Sequence, residues 1–318
     1  MTVDLKASAL QTVSRPRLAR QGRLGRKPWA AIVLFIGPAM AYYVAFILYP
    51  VLATFFYSVH TIVPSGGQLT LKFVGLNNFI SLSSDEIFIG AVQNTLTWGF
   101  VGPVIEIVTS TTLALLVYFK VPLYRFYRVA WFTPVLVSGV IIGLVFRWIL
   151  NYDWGLLNVS LRAVGLDQFA LNWLGRPDTP IWAVIFVHYW ATFGNSFVLL
   201  LAGLSAMPVE LLEAAYIDGA SRLQTIRKVI LPLLRPTLVT VLILSFLGKM
   251  NAFNVVWVLT NGGPMHYSET VATYMQKRAF AWNSLDLGYP AAIGVVWFGV
   301  IVVGVGLISR WLRRQIDV

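Results

Sequence analysis

The sequence predicts an all-α polytopic membrane protein of six transmembrane helices with both termini cytoplasmic, and three observations predict it. Apolar residues fill 58% of the 318 positions while charged residues fill only 12%, a balance that soluble domains do not keep. Six apolar runs reach spanning length, at about 29–59, 91–119, 129–150, 180–206, 237–259 and 288–309, where about 20 residues suffice. Lysine and arginine collect in alternate loops between these runs.

The chain opens on a basic segment, residues 1–28, in which Lys6, Arg15, Arg17, Arg20, Arg23, Arg26 and Lys27 stand without an apolar period. This composition predicts a flexible cytoplasmic tail. The apolar run that follows is too long for a secretory signal, so it is read as a retained first span. Residues 29–89 then comprise that span and an exterior loop, 90–312 the remaining transmembrane domain, and 313–318 a second cytoplasmic tail. Trp29, Trp148, Trp154, Trp182 and Trp311 lie near span ends, where amphipathic rings favour the membrane interface.

Orientation follows from the basic loops, which stay on the cytoplasmic side. One side carries the N-terminal tail, then Lys120, Arg125 and Arg128, then Arg222, Arg227, Lys228 and Arg235, then Arg310, Arg313 and Arg314. The other carries Lys72, Asp85 and Glu86, then Asp153, Arg162, Asp167, Arg176 and Asp178, then Glu269, Lys277, Arg278 and Asp286. Acids match or outnumber bases there, so that side is exterior.

The formal charge of +11 therefore belongs to span ends facing the lipid bilayer, and no nucleic acid partner is implied. There is no cysteine, which rules out disulfides and thiolate metal sites. His60, His188 and His266 are widely separated, without a carboxylate at helical ligand spacing, so no metal site is expected. A phosphate-cradling loop needs Gly-x-x-x-x-Gly-Lys-Ser/Thr. Gly248-Lys249-Met250 is the nearest fragment, and it lies in a span without the hydroxyl. The chain is accordingly read as a non-enzyme that binds no cofactor of its own.

A polar island interrupts the fourth and fifth runs. Pro208 and Glu210 suit a first helical turn, Gly219 permits a sharp bend, and Pro232 is expected to disrupt the helix that follows. Within it Glu213, Ala214, Ala215, Asp218, Gly219, Ala220, Ile230, Leu231, Pro232 and Pro236 fall at a spacing that resembles the cytoplasmic coupling loop of permease subunits of bacterial ATP-binding-cassette importers. The loop spans 208–236 and falls on the side that the charges independently assign to the cytoplasm. A second cluster, Leu259-Thr260-Asn261-Gly262-Gly263-Pro264, with Thr270, Tyr274, Ala279-Phe280 and Gly288-Tyr289-Pro290 downstream and Asn94-Thr95-Leu96 upstream, resembles the maltose-type and glycerol-phosphate-type sugar permeases.

The resemblance implies the type I importer permease fold in a bacterial inner membrane. It also implies a machine: a second homologous permease, two ATPase subunits that bind ATP and Mg, and an extracytoplasmic solute-binding protein that delivers a carbohydrate or related polyol. On this reading Glu213, Ala214, Ala215, Asp218, Gly219, Ala220 and Pro232 form the ATPase-coupling elbow. Thr260, Asn261, Gly262, Gly263 and Pro264 are expected to meet the binding protein.

Polar groups inside a span are costly unless they face protein or water, which makes them candidates for the cargo pathway. In the fourth run these are Trp190, Thr192, Asn195 and Ser196; in the fifth, Ser245, Lys249, Asn251 and Asn254. Trp190 offers a flat face for a sugar's C–H surface, and Asn195 both a donor and an acceptor. The resemblance adds Gly248 and Ala252, with Asn195, Ser245, Lys249 and the neighbours of Trp190, as positions of sugar contact. Lys249 is expected to meet cargo, with structural pairing to Glu106 as the alternative, and His188 to make a helix–helix hydrogen bond. Two other classes remain open from the residues alone: an ion-coupled secondary carrier using Glu106 and Lys249, and a membrane scaffold without a pathway.

Overall fold

The computed structural model of the chain describes residues 29–65, 68–281 and 286–313, so the basic tail 1–28 and residues 314–318 lie outside the described residues. Five described helices are long and apolar enough to cross a bilayer, and six spans result when Tyr124–Leu136 and Gly139–Ile149 count as one. Two compact units divide the chain between Leu52 and Ala53. The described part of the first unit is helical from Trp29, with a π turn at Val44–Leu48 and the rings of Tyr42 and Phe46 4.6 Å apart.

In the second unit the second span, Glu86–Tyr118, packs against the fourth, Pro180–Ser205, and the fifth. Its buried face runs Ala91, Thr95, Trp98, Gly102, Glu106, Ser110, Ala114 and Val117, steps of three and four residues that place one stripe on one side of a helix. The stripe is mostly small, which lets backbones approach where lipid supplies no hydrophobic drive. A Cβ at Gly102 would stand 3.2 Å from the Lys249 side chain, and one at Gly194 2.6 Å from the Trp131 carbonyl. Tyr189 donates to Thr109 Oγ1 at 2.8 Å, and Trp297 Nε1 of the last span donates to the Met250 carbonyl at 3.0 Å.

Two spans differ from the continuous helices that the apolar runs predict. The third bends by 102° between Leu136 and Gly139. Pro134 sits in a 3₁₀ turn at Thr133–Leu136, and Ser138 caps the second half by accepting from the Val140 N–H. The fifth stops at Met250 and restarts at Asn254–Leu259. Carbonyls freed by such a break need partners. Trp297 supplies one to Met250, and Thr270 Oγ1 supplies one to Ala252 at 3.4 Å.

Pro232 does not disrupt its helix. A π turn at Ile226–Ile230 precedes it, with the Leu231 N–H reaching back to the Ile226 carbonyl, and the helix runs on through Leu231–Met250. Proline lacks an N–H and its ring crowds the carbonyl four residues back. The wider turn relieves both demands. Val44–Leu48 stands in the same relation to Pro50, with the Tyr49 N–H bonded to the Val44 carbonyl.

At the Glu86 end of the bundle the chain forms an antiparallel hairpin, β1 (His60–Ser65) with β2 (Gln68–Phe73). The all-helical expectation missed it, although Leu69, Leu71 and Phe73 alternate with polar residues at a strand period. Asp286 pins the hairpin, accepting from Thr61 Oγ1 at 2.7 Å and the Ile62 N–H at 3.0 Å while it also accepts from Gly288 N–H at the start of the last span. Beside it Asp85 caps the second span through the N–H groups of Ile87 and Phe88 and accepts from the hydroxyls of Tyr274 and Tyr289. The Arg278 guanidinium lies 4.1 Å from the Tyr289 ring centre.

Burial pushes the Asp85 carboxyl up, but the bonds from Tyr274, Tyr289 and Phe88, with the charge of Arg278, outweigh it and hold the group below its ordinary 3.8. A depressed carboxylate contributes stability that is present above the unfolded value and lost as pH falls through the folded one. Amide protection at Ile87 and Phe88, corrected for intrinsic exchange, is therefore expected to fall as pH drops below about 4. In Asp85→Ala, which removes the acceptor, it is expected to be weak at every pH; hydrogen–deuterium exchange with mass spectrometry measures both.

Candidate functional site

Between the fourth and fifth spans lies a cavity of about 490 Å³, lined by Glu106, His188, Thr192, Asn195, Ser196, Ser245, Gly248 and Lys249 among others. A second, of about 280 Å³, shares His188, Thr192, Asn195 and Gly248 with it and adds Asn251, Ala252 and Asn254. His188, Thr192 and Asn195 follow at i, i+4 and i+7, one face of the fourth span. A side chain at Gly248 would meet nothing within 4 Å, so the cavity wall is open there. Thr192, Asn195, Ser245, Gly248, Lys249, Asn251 and Ala252 thus converge as the sequence suggests.

Trp190 does not join them. It packs against the core cluster of Trp98, Val187 and Val256, with its ring edge-on to Phe146 at 5.3 Å. Helical rotation turns it away from the polar stripe and toward the bent third span.

Lys249 is committed to Glu106, the alternative that the sequence left open. Both side chains are 3% exposed and form an ion pair. Lys249 Nζ also donates to Ser245 Oγ at 2.9 Å, Ser245 to Glu106 at 3.0 Å, and Ser196 to the other carboxylate oxygen. One acid of the second span is thereby satisfied from the fourth and fifth. His188 does not make the helix–helix hydrogen bond expected of it. Its Nδ1 is buried without a partner, and its ring stands edge-on to Trp98 at 4.9 Å. The signal for it was available: it precedes Thr192 by one helical turn.

The elbow follows directly on the fourth span. Helix Val209–Ile217 ends at Gly219, whose φ of +74° is the left-handed value a bend requires. The Gly219 N–H bonds to the Tyr216 carbonyl and the Ala220 N–H to the Ala215 carbonyl, both at 3.0 Å, the paired bonds of a glycine-terminated helix. Ser221 and Gln224 then cap the next helix reciprocally. Glu213, Ala214 and Asp218 are uncovered on this elbow, whereas Ala215 is buried against its own chain. Sequence reasoning missed Tyr216 and Ile217, which are 84% and 82% exposed at its tip. An apolar pair inside a polar island was the signal.

The segment Thr260–Pro264 wraps a buried ion pair instead of lying open. Lys277 Nζ bonds Glu269 at 2.6 Å and the Asn261 carbonyl at 2.7 Å, and His266 Nδ1 lies 2.8 Å from the same Glu269 oxygen. Glu269 is 0% exposed, so two charges of the exterior loop are buried within it. Gly262 is buried against that carboxylate, and Asn261, Met265 and Tyr267 are exposed.

Comparison with known proteins places this geometry. Residues 107–318 match the family described as the binding-protein-dependent transport system inner membrane component. The chain belongs to this family. The permease is 33% identical over 283 residues to the arabinooligosaccharides transport system permease protein AraP of Bacillus subtilis, covering 88% of this chain and 87% of that one. It is 32% identical over 273 residues to the trehalose/maltose transport system permease protein MalF of Thermococcus litoralis, covering 85% and 89%. Among solved structures, a bacterial alginate ABC transporter in complex with its alginate pentasaccharide-bound periplasmic protein shares the fold, with a TM-score of 0.79 over 92% of this chain and 99% of that one at 21% identity.

Gly262 tests the folded loop of this permease. Its φ is +76° and a Cβ there would collide with the Glu269 carboxylate. Gly262→Ala is expected to open residues 260–266 to protease, whereas Gly263→Ala, with only the Thr260 carbonyl at 3.2 Å, leaves cleavage nearly unchanged; limited proteolysis of the purified permease measures the difference.

Proposed function

We propose that this permease forms half of the pathway of an ATP-driven importer for a carbohydrate or related polyol, with its termini and the Glu213 elbow on the cytoplasmic side. A second homologous permease completes the pathway. An extracytoplasmic binding protein delivers cargo at the face that bears Asn261 and Met265. Two ATPase subunits, holding ATP and Mg, receive the elbow; the chain itself catalyses nothing.

The observation that carries this reading is that one continuous piece of chain holds both the cavity wall and the elbow. The fourth span lines the cavity and ends at Ser205, the elbow begins at Val209, and its second half passes through the Ile226–Ile230 turn into the fifth span, the opposite wall. A push on the elbow therefore moves both walls. Uncovered Tyr216 and Ile217 give a docking partner an apolar tip to grip, with Glu213 beside them for a basic group. The saccharide assignment rests on relatives named for arabinooligosaccharides and for trehalose and maltose, and on hydroxyl-matching groups, Thr192, Asn195 and Asn251, around the cavity.

Reconstituted with its ATPase, second permease and binding protein, the importer is expected to take up sugar only with ATP on the ATPase side. Uptake persists when the membrane potential is collapsed. Uptake driven by an ion gradient without an ATPase overturns the reading in favour of a secondary carrier. Within that assay Glu213→Ala and Gly219→Val are expected to lose uptake. The valine loses it because a left-handed L-residue costs about 1–2 kcal/mol, while Gly219→Asn, which tolerates that conformation, keeps it.

A further inference from the structure

We propose that the basic recess where the second span, the helix Tyr124–Phe132 and the end of the fourth span meet is a binding site for the phosphodiester headgroup of an anionic membrane lipid. The site requires only that the chain crosses the bilayer; the importer reading above enters in naming its leaflet, the cytoplasmic one.

The recess measures about 600 Å³, and its lining is of two kinds. Tyr118, Lys120, Tyr124, Arg128 and Ser205 give it hydroxyls and two cations, while Val117, Val198 and Leu201 give it an apolar strip on the second and fourth spans. An amphiphile with a phosphate at one end answers both. Free phosphate answers the polar groups alone.

The cations of the recess are not spent on the fold. Every ion pair among the described residues is made elsewhere, by Arg176, Lys249, His266 and Lys277, and the sequence supplies no acid from Val117 to Phe132. Arg128 offers a planar fork that matches two phosphate oxygens, and Lys120 a point charge for the same group. Tyr124 Oη accepts from Arg125 Nε at 3.2 Å, which leaves its own O–H to donate. Basic pockets between spans at a membrane surface take anionic headgroups for these reasons.

The turn that brings Lys120 to the recess does so at a conformational cost. Lys120 and Leu123 take φ of +51° and +65°, left-handed values that residues with a side chain rarely adopt. Glycine would take both positions without that cost. The Lys120 and Val121 N–H groups reach back to the Val117 and Leu116 carbonyls at 3.1 and 3.2 Å, so the turn is tied to the end of the second span. Leu123, Phe126 and Val129 then fall on one uncovered face, with Arg125 and Arg128 beside them, the composition of a helix that lies in the interface.

The chain has no cysteine, so Ser205→Cys, at an uncovered position of the recess, reports occupancy in the full-length permease in detergent. Dihexanoylphosphatidylglycerol is expected to slow its reaction with a maleimide; dihexanoylphosphatidylcholine and inorganic phosphate at the same concentration are not. In that background Lys120→Gln and Arg128→Gln are each expected to raise the half-protecting concentration about fivefold, the scale of one basic side chain at a membrane surface. Lys120→Arg and Arg128→Lys keep most of the protection, and Arg310→Gln, a basic position outside the recess, leaves it unchanged. Protection by phosphatidylcholine as strong as by phosphatidylglycerol overturns the proposal, and so does protection by neither lipid. Protection by inorganic phosphate equal to that by phosphatidylglycerol overturns it in favour of a free-anion site. A loss in Arg310→Gln equal to that in Arg128→Gln overturns it in favour of diffuse surface charge. The assay uses no ATPase, so ion-driven uptake would refute the importer reading and leave this result standing.

Discussion

A carboxylate in the middle of an apolar helix must be neutralised where it stands, and Glu106 imposes that demand on the whole bundle. Its oxygens take Lys249 and Ser245 from the fifth span and Ser196 from the fourth. Three spans are thereby fixed at one depth and one rotation about their axes. Removing one partner of such a buried pair costs about 3–5 kcal/mol because the other charge is left unpaired, although replacing both is often nearly neutral. The pair specifies the arrangement of helices more than it stabilises it. Small residues flanking it, Gly102 against Lys249 and Gly99 against Met250, allow the close approach that the ion pair needs.

The cavity sits beside this anchor and is shaped by it. With Lys249 held by Glu106, the polar stripe His188, Thr192 and Asn195 becomes the face that the fourth span turns to the opening. The break at Asn251–Phe253 shapes the far wall, and irregular backbone there is tolerated because it lines the cavity rather than facing lipid. From the same two spans the chain descends to the Gly219 elbow. One rigid path therefore links an exposed apolar tip to the residues that line the opening.

Much of this was legible in the sequence. Apolar runs located the spans, and the elbow was visible because Gly219 must take positive φ where two polar helices meet in a short loop. What escaped detection depended on partners distant in the chain. Trp190 reads as a cargo platform until the bent third span supplies Phe146, and that bend needs both Pro134 and the Ser138 cap. Glu269 and Lys277 read only as charges of an exterior loop, since their short separation along the chain does not reveal that the loop folds them inward. The hairpin was hidden by its brevity, and Pro232 by a π turn that no local rule announces. His188 reads as a helix–helix hydrogen-bonding group, because an unpaired nitrogen is a property of the packed structure.

The central claim is that Glu106 and Lys249 exist for each other and hold the three central spans. A double-mutant cycle on thermal unfolding of the purified permease tests it most directly, with Glu106→Gln, Lys249→Met and the pair together. The account predicts that each single change destabilises by about 3–5 kcal/mol and that the double variant recovers most of the loss. Losses that simply add, or a Lys249→Met variant as stable as wild type, would contradict it.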